Sequence, residues 1–100
     1  MIENLSLDEQ TASYLAEFFS ALSDTSRVRI IFALMHGEMN VSALAEVVGI
    51  SESAVSHQLR GLRQMHLVRS RKEGRQVFYH LDDEHVADLF QRGLEHIQHN

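Results

Sequence analysis

The chain has 100 residues, a hydrophobic fraction of 44% and a formal net charge of −5, which together indicate one small domain over residues 1–100. It has no cysteine, which excludes disulfides and thiolate metal sites, and no apolar run long enough to span a membrane. Its first ten residues lack the basic and apolar regions of a signal peptide, so we expect a cytoplasmic protein.

The first two helices are predicted from helical spacing of apolar residues and from capping signals. The first covers about residues 7–22, and its start matches a capping box at residues 6–9. The second follows Ser23 or Asp24, either of which is able to cap it, and ends at Gly37.

The next two helices form a predicted helix-turn-helix. A short helix over residues 43–48 follows Ser42 and stops at Gly49. The following helix is capped by Ser51 and runs to about Met65. Two helices joined by a tight glycine-containing turn, the second starting with small polar residues, are typical of this DNA-binding motif.

Two strands and a last helix complete the predicted fold. Residues 67–71 and 75–81 read as strands, with residues 72–74 as the turn between them. A basic hairpin after a helix-turn-helix is a "wing", and residues 82–99 supply the final helix. The order α-α-α-α-β-β-α predicts a mainly α, winged helix-turn-helix protein.

Basic residues are concentrated in one part of this acidic chain. Six of the nine lysines and arginines lie between residues 60 and 75, where only Glu73 opposes them. They are Arg60, Arg63, Arg69, Arg71, Lys72 and Arg75. A local basic stripe is able to meet DNA phosphates, although a solvated charged surface explains the same pattern.

The predicted layout selects candidate DNA contacts. The fourth helix would enter the major groove by its N-terminal half, with Ser53, Ser56, His57 and Arg60 facing the bases. The wing tip would contact phosphates or the minor groove through Arg71, Lys72 and Arg75. Glu52 is an opposing signal, since an acid there favours the helix dipole but repels phosphates. An ordinary surface helix with serines near its cap remains the alternative.

The stretches LSDTSRVRI (22–30) and SAVSHQLRGLRQMHLV (53–68) resemble the ArsR–SmtB family of bacterial metal-responsive repressors. The similarity extends over essentially the whole chain. It implies a homodimer formed by the first and last helices, and repression of operator DNA that an effector relieves. One effector site of the family needs cysteines and is excluded here. Another lies on the last helix, where Asp83, His85, His96 and His99 resemble its ligands.

The spacing of these ligands predicts a site shared by two chains. His85 and His96 are eleven residues apart, so they share a helix face but lie roughly 16 Å apart along it. A single helix therefore does not close the site, whereas two antiparallel copies would bring one carboxylate and three imidazoles together, twice per dimer. Such ligands suit Zn2+, and Co2+ or Ni2+ share them. His66 is a candidate to link the site to the fourth helix.

Each metal candidate also has a simpler explanation. Asp83 would cap the helix, His96 and His99 would favour its negative end, and His85 would be an ordinary surface residue. For the whole protein, a repressor of the same family that answers a non-metal signal is one alternative. A dimerising interaction module is another. A zinc hydrolase would need an open metal position, which four protein ligands do not leave, so we expect no enzyme and no small organic substrate.

Overall fold

The computed structural model describes residues 2–99, and the predicted order of elements is confirmed. After a short 3₁₀ turn over Ile2–Leu5, the elements are α1 (Glu9–Ala21), α2 (Thr25–Leu34), α3 (Val41–Val48), α4 (Glu52–Gln64), β1 (Val68–Glu73), β2 (Gln76–Leu81) and α5 (Glu84–Gln98). Across these residues, no helix combines the length and the apolar character that crossing a bilayer requires.

Two helices begin at residues other than those predicted. Asp8, and not Ser6, caps α1 by accepting a hydrogen bond from the Thr11 N–H, and its charge also suits the positive end of the helix. Asn40, and not Ser42, caps α3 by accepting from the Ala43 N–H at 2.8 Å. The earlier start adds Val41 to the helix, where it packs against the core.

The caps of α2 and α4 agree with the predictions. Asp24 accepts from the Arg27 N–H at 3.0 Å, and Ser51 accepts from the Ala54 N–H at 3.0 Å. Helix α2 ends at Leu34, before Gly37, because the chain leaves helical geometry after its cap residue Met35.

The core lies between α2, α3, α4 and the start of β1. Its largest fully buried side chains are Ile30, Ile31, Leu44, Val55, Leu59, Leu62, Leu67 and Val68. Helix α4 therefore buries one stripe of apolar residues at helical spacing and leaves the opposite face for other contacts.

The turn between α3 and α4 depends on Gly49. Its φ of 81° and ψ of 32° are left-handed, and its N–H donates to the Ala45 carbonyl at 2.8 Å. Glycine adopts this conformation without a Cβ clash, so the chain leaves α3 sharply and reaches the cap of α4 two residues later. The predicted helix-turn-helix is confirmed.

The first strand of the hairpin is extended further, and the turn is tighter, than predicted. Its antiparallel register runs from Val68 opposite Leu81 to Glu73 opposite Gln76. The turn is therefore Gly74–Arg75, with φ of 63° at Gly74, and not residues 72–74. The placement of the turn was wrong because a two-residue connection suits the twist of paired strands, which lets β1 continue to Glu73.

Candidate DNA interface and metal site

The structure places the predicted base-contacting residues on the outer face of α4. Ser53, Ser56, His57 and Arg60 are all exposed, and they begin in the first turn after the cap. Glu52 is exposed in the same turn, where its carboxylate lies at the positive end of the helix dipole.

Arg27 fixes the position of α4 relative to the first two helices. Its Nε donates to the Gln58 side chain at 2.6 Å, and its Nη1 donates to the Ala21 carbonyl at 3.2 Å. The guanidinium lies against Gly61, where an added Cβ would come within 3.0 Å of Nη2. Gln58, which also donates to Asp24 at 3.4 Å, is thus occupied inside the protomer.

Only some of the basic side chains of the wing are unpaired within the described residues and so available to DNA phosphates. Lys72 is exposed near the tip, and Arg75 is exposed in the turn itself. Arg69, by contrast, pairs with Asp82 at 2.7 Å. Arg71 lies opposite Phe78 in the middle of the hairpin and pairs with Glu38, so its predicted place at the wing tip was wrong.

Sequence reasoning did not select Arg63 as a DNA contact. This exposed residue borders a hollow of about 280 Å³ between α4 and β2, together with Arg60, Ser56 and Tyr79. The spacing of the sequence already indicated that Arg63 extends the basic surface of α4, because residues three apart, such as Arg60 and Arg63, are neighbours on a helix.

Asp83 and His85 lie together at the start of α5. One carboxylate oxygen of Asp83, Oδ1, caps the helix by accepting from the His85 N–H at 2.8 Å and the Val86 N–H at 3.3 Å. The Nδ1 atom of His85 is 3.4 Å from the same oxygen, and the His85 side chain is 93% exposed. Within the described residues Oδ2 accepts no hydrogen bond, so it is open to a metal ion.

The Asp83 carboxylate is held in its ionised form. Partial desolvation by itself would raise its pKa, but hydrogen bonds from the backbone and side chain of His85 and from the Val86 N–H outweigh it and leave the pKa below its usual range. The Asp83 carboxylate therefore stays ionised to lower pH than an ordinary aspartate.

His96 and His99 lie at the opposite end of α5. Both are exposed, and His99 is the C-terminal cap of the helix. Between residues 2 and 99 of one protomer, no three acidic or histidine side chains come close enough to hold a metal ion. Asp83 and His85 at the start of α5 and His96 and His99 at its end therefore do not come together within the described part of one protomer.

His66 lies in the turn that joins α4 to β1. Its φ of 59° is left-handed, and its N–H donates to the Arg63 carbonyl at 3.0 Å. Its ring is exposed, and within residues 2–99 it makes no hydrogen bond to α5. One protomer thus does not contain the link that was predicted between His66 and His96.

A continuous apolar surface connects α1, α2 and α5. Tyr14, Leu15 and Phe19 on α1 are exposed, and Ile97 on α5 is 70% exposed. A groove of about 370 Å³ runs between the helices, lined by Phe19, Leu22, Val28, Phe32, Leu89, Phe90, Gly93, Leu94 and Ile97. Such a surface is typical of an interaction site.

Comparison with known proteins agrees with this architecture. Residues 24–70 match the model of the bacterial regulatory protein arsR family. The chain is 50% identical to the transcriptional repressor SmtB homolog of Synechocystis over 96% of this chain and 71% of that protein. It is 40% identical to the cadmium resistance transcriptional regulatory protein CadC homolog of Staphylococcus aureus, over 90% of this chain and 75% of that protein.

A solved structure shows the same fold. The homodimeric winged helix-turn-helix DNA-binding domain of Mb0332 from Mycobacterium bovis superposes with a TM-score of 0.80 at 29% identity, covering 95% of this chain and 94% of that one. The SmtB homolog and the CadC homolog are regulators of transcription and not enzymes. The extent of these similarities places the chain in the arsR family of bacterial regulatory proteins.

Proposed function

We propose that this protein is a metal-sensing repressor that binds double-stranded operator DNA as a homodimer in the cytoplasm. It is released from DNA when zinc, or a similar divalent ion such as cobalt or nickel, binds a site shared by the two α5 helices. The carrying observation is that four exposed side chains with metal-binding atoms lie in two groups at opposite ends of α5, Asp83 with His85 and His96 with His99. Each group would be one half-site.

The apolar surface of α1 and α5 supports a homodimer. Its exposed aromatic and aliphatic side chains would be buried by a second copy, and a relative of the same fold is homodimeric. In a two-fold dimer with antiparallel α5 helices, Asp83 and His85 lie beside His96 and His99 of the partner subunit. The two-fold symmetry of this dimer would create an identical second site.

The number and chemical type of the donor atoms suit a tetrahedral metal site. The Oδ2 atom of Asp83 accepts no hydrogen bond within the described residues. The three imidazoles are exposed and do not pack in the core. Bound there, the ion would supply positive charge and fixed geometry. The cadmium resistance relative supports metal input into this fold, although it does not identify the ion.

A charge argument indicates how a bound metal ion would release DNA. Added positive charge alone would strengthen DNA binding, so release must come from a change in shape. When α5 of one subunit is fixed to α5 of the partner, the spacing of the two α4 helices is fixed as well. A coupling free energy of about 1–3 kcal/mol would lower operator affinity roughly 5- to 150-fold.

Operator binding with and without zinc tests this function. We expect zinc to weaken operator binding by wild-type protein and to have no effect on a His96→Ala/His99→Ala variant. A Gln91→Ala/Gln98→Ala variant is the matched control, because it changes two exposed residues of the same helix and should respond normally. A wild-type protein that ignores every divalent ion would favour the alternative, a family repressor that answers a non-metal signal.

Mixed dimers test whether the site is shared between chains. An Asp83→Ala/His85→Ala chain and a His96→Ala/His99→Ala chain should each lose metal binding when alone. After mixing, each heterodimer regains one intact site, so roughly a quarter of wild-type capacity should return at statistical mixing. If mixing restores nothing while both variants remain dimeric, the site is not intersubunit.

A further inference from the structure

The wing is attached to the helix-turn-helix by the loop between α2 and α3. The Glu38 carboxylate accepts hydrogen bonds from Arg71 Nε on both oxygens, at 2.9 and 3.0 Å, and another from Nη2. Met39 and Tyr79 exchange two backbone hydrogen bonds, at 3.1 and 2.8 Å. Asn40 donates to the Gln76 side chain at 2.8 Å.

This loop also controls the start of α3. Asn40 Oδ1 caps that helix while Asn40 Nδ2 reaches the wing, so one side chain joins both elements. A two-stranded hairpin is marginally stable by itself, and its orientation depends on what it packs against. The three contacts of residues 38–40 therefore fix the angle between the wing and the helix-turn-helix.

The hydrogen-bonding groups of Arg71 are already engaged in the free protomer. Besides Glu38, its Nη1 is 3.5 Å from a Glu73 carboxylate oxygen, and its guanidinium lies 5.1 Å from the centre of the Phe78 ring. Arg69, Arg71, Phe78 and His80 share one face of the hairpin by register, and His80 Nδ1 is 4.0 Å from Glu38. A phosphate would therefore compete with Glu38 for the guanidinium of Arg71, whose side chain is 45% exposed.

We infer that Glu38 and Arg71 are positioning residues of the DNA-binding surface and that Arg71 does not contact DNA. The pair, here called the wing brace, orients the hairpin so that Lys72 and Arg75 meet the phosphates. This inference rests on the proposed DNA-binding function and replaces the phosphate contact that the sequence predicted for Arg71.

The two roles of Arg71 predict opposite results for Glu38. If Arg71 contacted phosphate, Glu38→Gln would free the cation and strengthen operator binding. In the wing brace, Glu38→Gln and Arg71→Gln break the same interaction, so each weakens binding about fivefold, the scale of one well-formed ion pair. The double variant is then no weaker than either single variant, because the residues act as a unit.

Salt dependence supplies the readout that distinguishes positioning from contact. Each phosphate contact contributes about −0.9 to the slope of log K against log salt concentration. We expect Arg71→Gln and Glu38→Gln to keep the wild-type slope. Lys72→Gln, the matched control from the same strand, should reduce the slope by about 1.8, because each bound dimer loses two phosphate contacts. Fluorescence anisotropy with metal-free protein and labelled operator, over about 50–200 mM salt, measures both affinity and slope.

Thermal melting in parallel confirms that each variant is folded. A shallower slope for Arg71→Gln, or tighter binding by Glu38→Gln, would overturn the inference and make Arg71 a phosphate contact. These outcomes are separate from the zinc response, because they are measured without metal. A wild-type protein that binds DNA but ignores zinc leaves the wing brace open to the same test.

Discussion

The two carboxylate oxygens of Asp83 have separable roles. Oδ1 caps α5, while Oδ2 is open to a metal ion. Because helix capping and metal binding draw on different atoms, a substitution that keeps a capping oxygen but removes the negative charge should separate stability from metal affinity.

We therefore expect Asp83→Asn to retain the stability of the metal-free protein, since asparagine and aspartate cap helices about equally well. Asp83→Ala should lose about 1 kcal/mol. Both variants should bind zinc much more weakly, because the anionic ligand is gone. Denaturant unfolding of metal-free protein and a zinc titration measure the two effects. Wild-type zinc affinity in Asp83→Asn would remove Asp83 from the ligand set.

Glu38 gives the wing a pH dependence whose sign is fixed. The hydrogen bonds from Arg71 outweigh desolvation and hold the pKa of Glu38 below its usual value of 4.5, with smaller help from the charges of Arg71 and His80. Its carboxylate therefore stabilises the folded state fully above about pH 4.5 and progressively less as the pH falls through the lowered pKa.

The difference in melting temperature between wild type and Glu38→Gln should accordingly stay constant from about pH 8 to pH 5 and shrink below about pH 4.5. Melting curves over this pH range test the expectation. Gln76→Ala is the control, because it breaks the uncharged hydrogen bond between Asn40 of the same loop and the wing. A difference that already changes above about pH 6 would show that the Glu38 carboxylate is not its source.

At the scale of elements, the sequence predicted the order of helices and strands but not every boundary. Apolar periodicity identified each helix, and Gly49 located the helix-turn-helix, because a left-handed helix end strongly favours glycine. Two caps were misplaced because Ser6 and Ser42 stand two residues from Asp8 and Asn40, which compete for the same role. Local patterns do not decide between neighbouring capping residues. For α3, the start at Val41 lets this side chain pack against the core.

Gly93 is a local cost to α5 that the protomer does not explain. A Cβ added there would meet no atom within 4 Å, yet glycine inside a helix is about 1 kcal/mol less favourable than alanine. Gly93 also lines the apolar groove that a second copy would cover in the proposed dimer. In that dimer, close approach of the partner subunit would account for the glycine.

Gly93→Ala should thus weaken the dimer even though it favours the helix. Sedimentation over a dilution series measures the dimer dissociation constant, and Gln91→Ala, a neighbouring substitution that adds no Cβ, serves as the control. A dimer that becomes tighter with Gly93→Ala would show that no helix of the partner subunit approaches closely at this position.

At the scale of the whole molecule, the protomer is too extended for its size. Its radius of gyration is 15.5 Å, against about 13 Å for a compact domain of this length, and its principal extents are 55 × 33 × 21 Å. Helix α1 packs against the core near its C-terminal end, through Phe18, Ala21 and Leu22. The rest of α1 has its apolar side chains exposed, as expected of half an assembly.

Ile97→Asp should therefore destabilise the protein although Ile97 is 70% exposed in the protomer. We expect a lower melting temperature, a loss of its dependence on protein concentration, and weaker operator binding, because folding and dimerisation are linked by mass action. Val77→Asp, which changes a partly exposed residue of the wing, should leave dimerisation intact. An Ile97→Asp protein that stays dimeric would place the interface elsewhere.

The site was less predictable than the fold because its partners are distant in the chain or on another chain. The sequence shows that Arg71 is charged. It does not show that Arg71 pairs with Glu38, which lies 33 residues away in the chain. The exposed face of α4 followed from helical spacing and agrees with the structure. The proposed metal site needs residues of two chains, so contacts within one protomer do not describe it.

The exposure of the α5 histidines has a consequence for how such regulators diversify. His85, His96 and His99 contribute nothing to the buried core, so their replacement should cost little stability, as is usual for surface substitutions. In the proposed metal sensor, a few surface substitutions would change the signal to which a descendant protein responds, while the core and the DNA-binding helix stay constant. Sensing would evolve faster than folding or operator recognition, since selection acts on them through different residues.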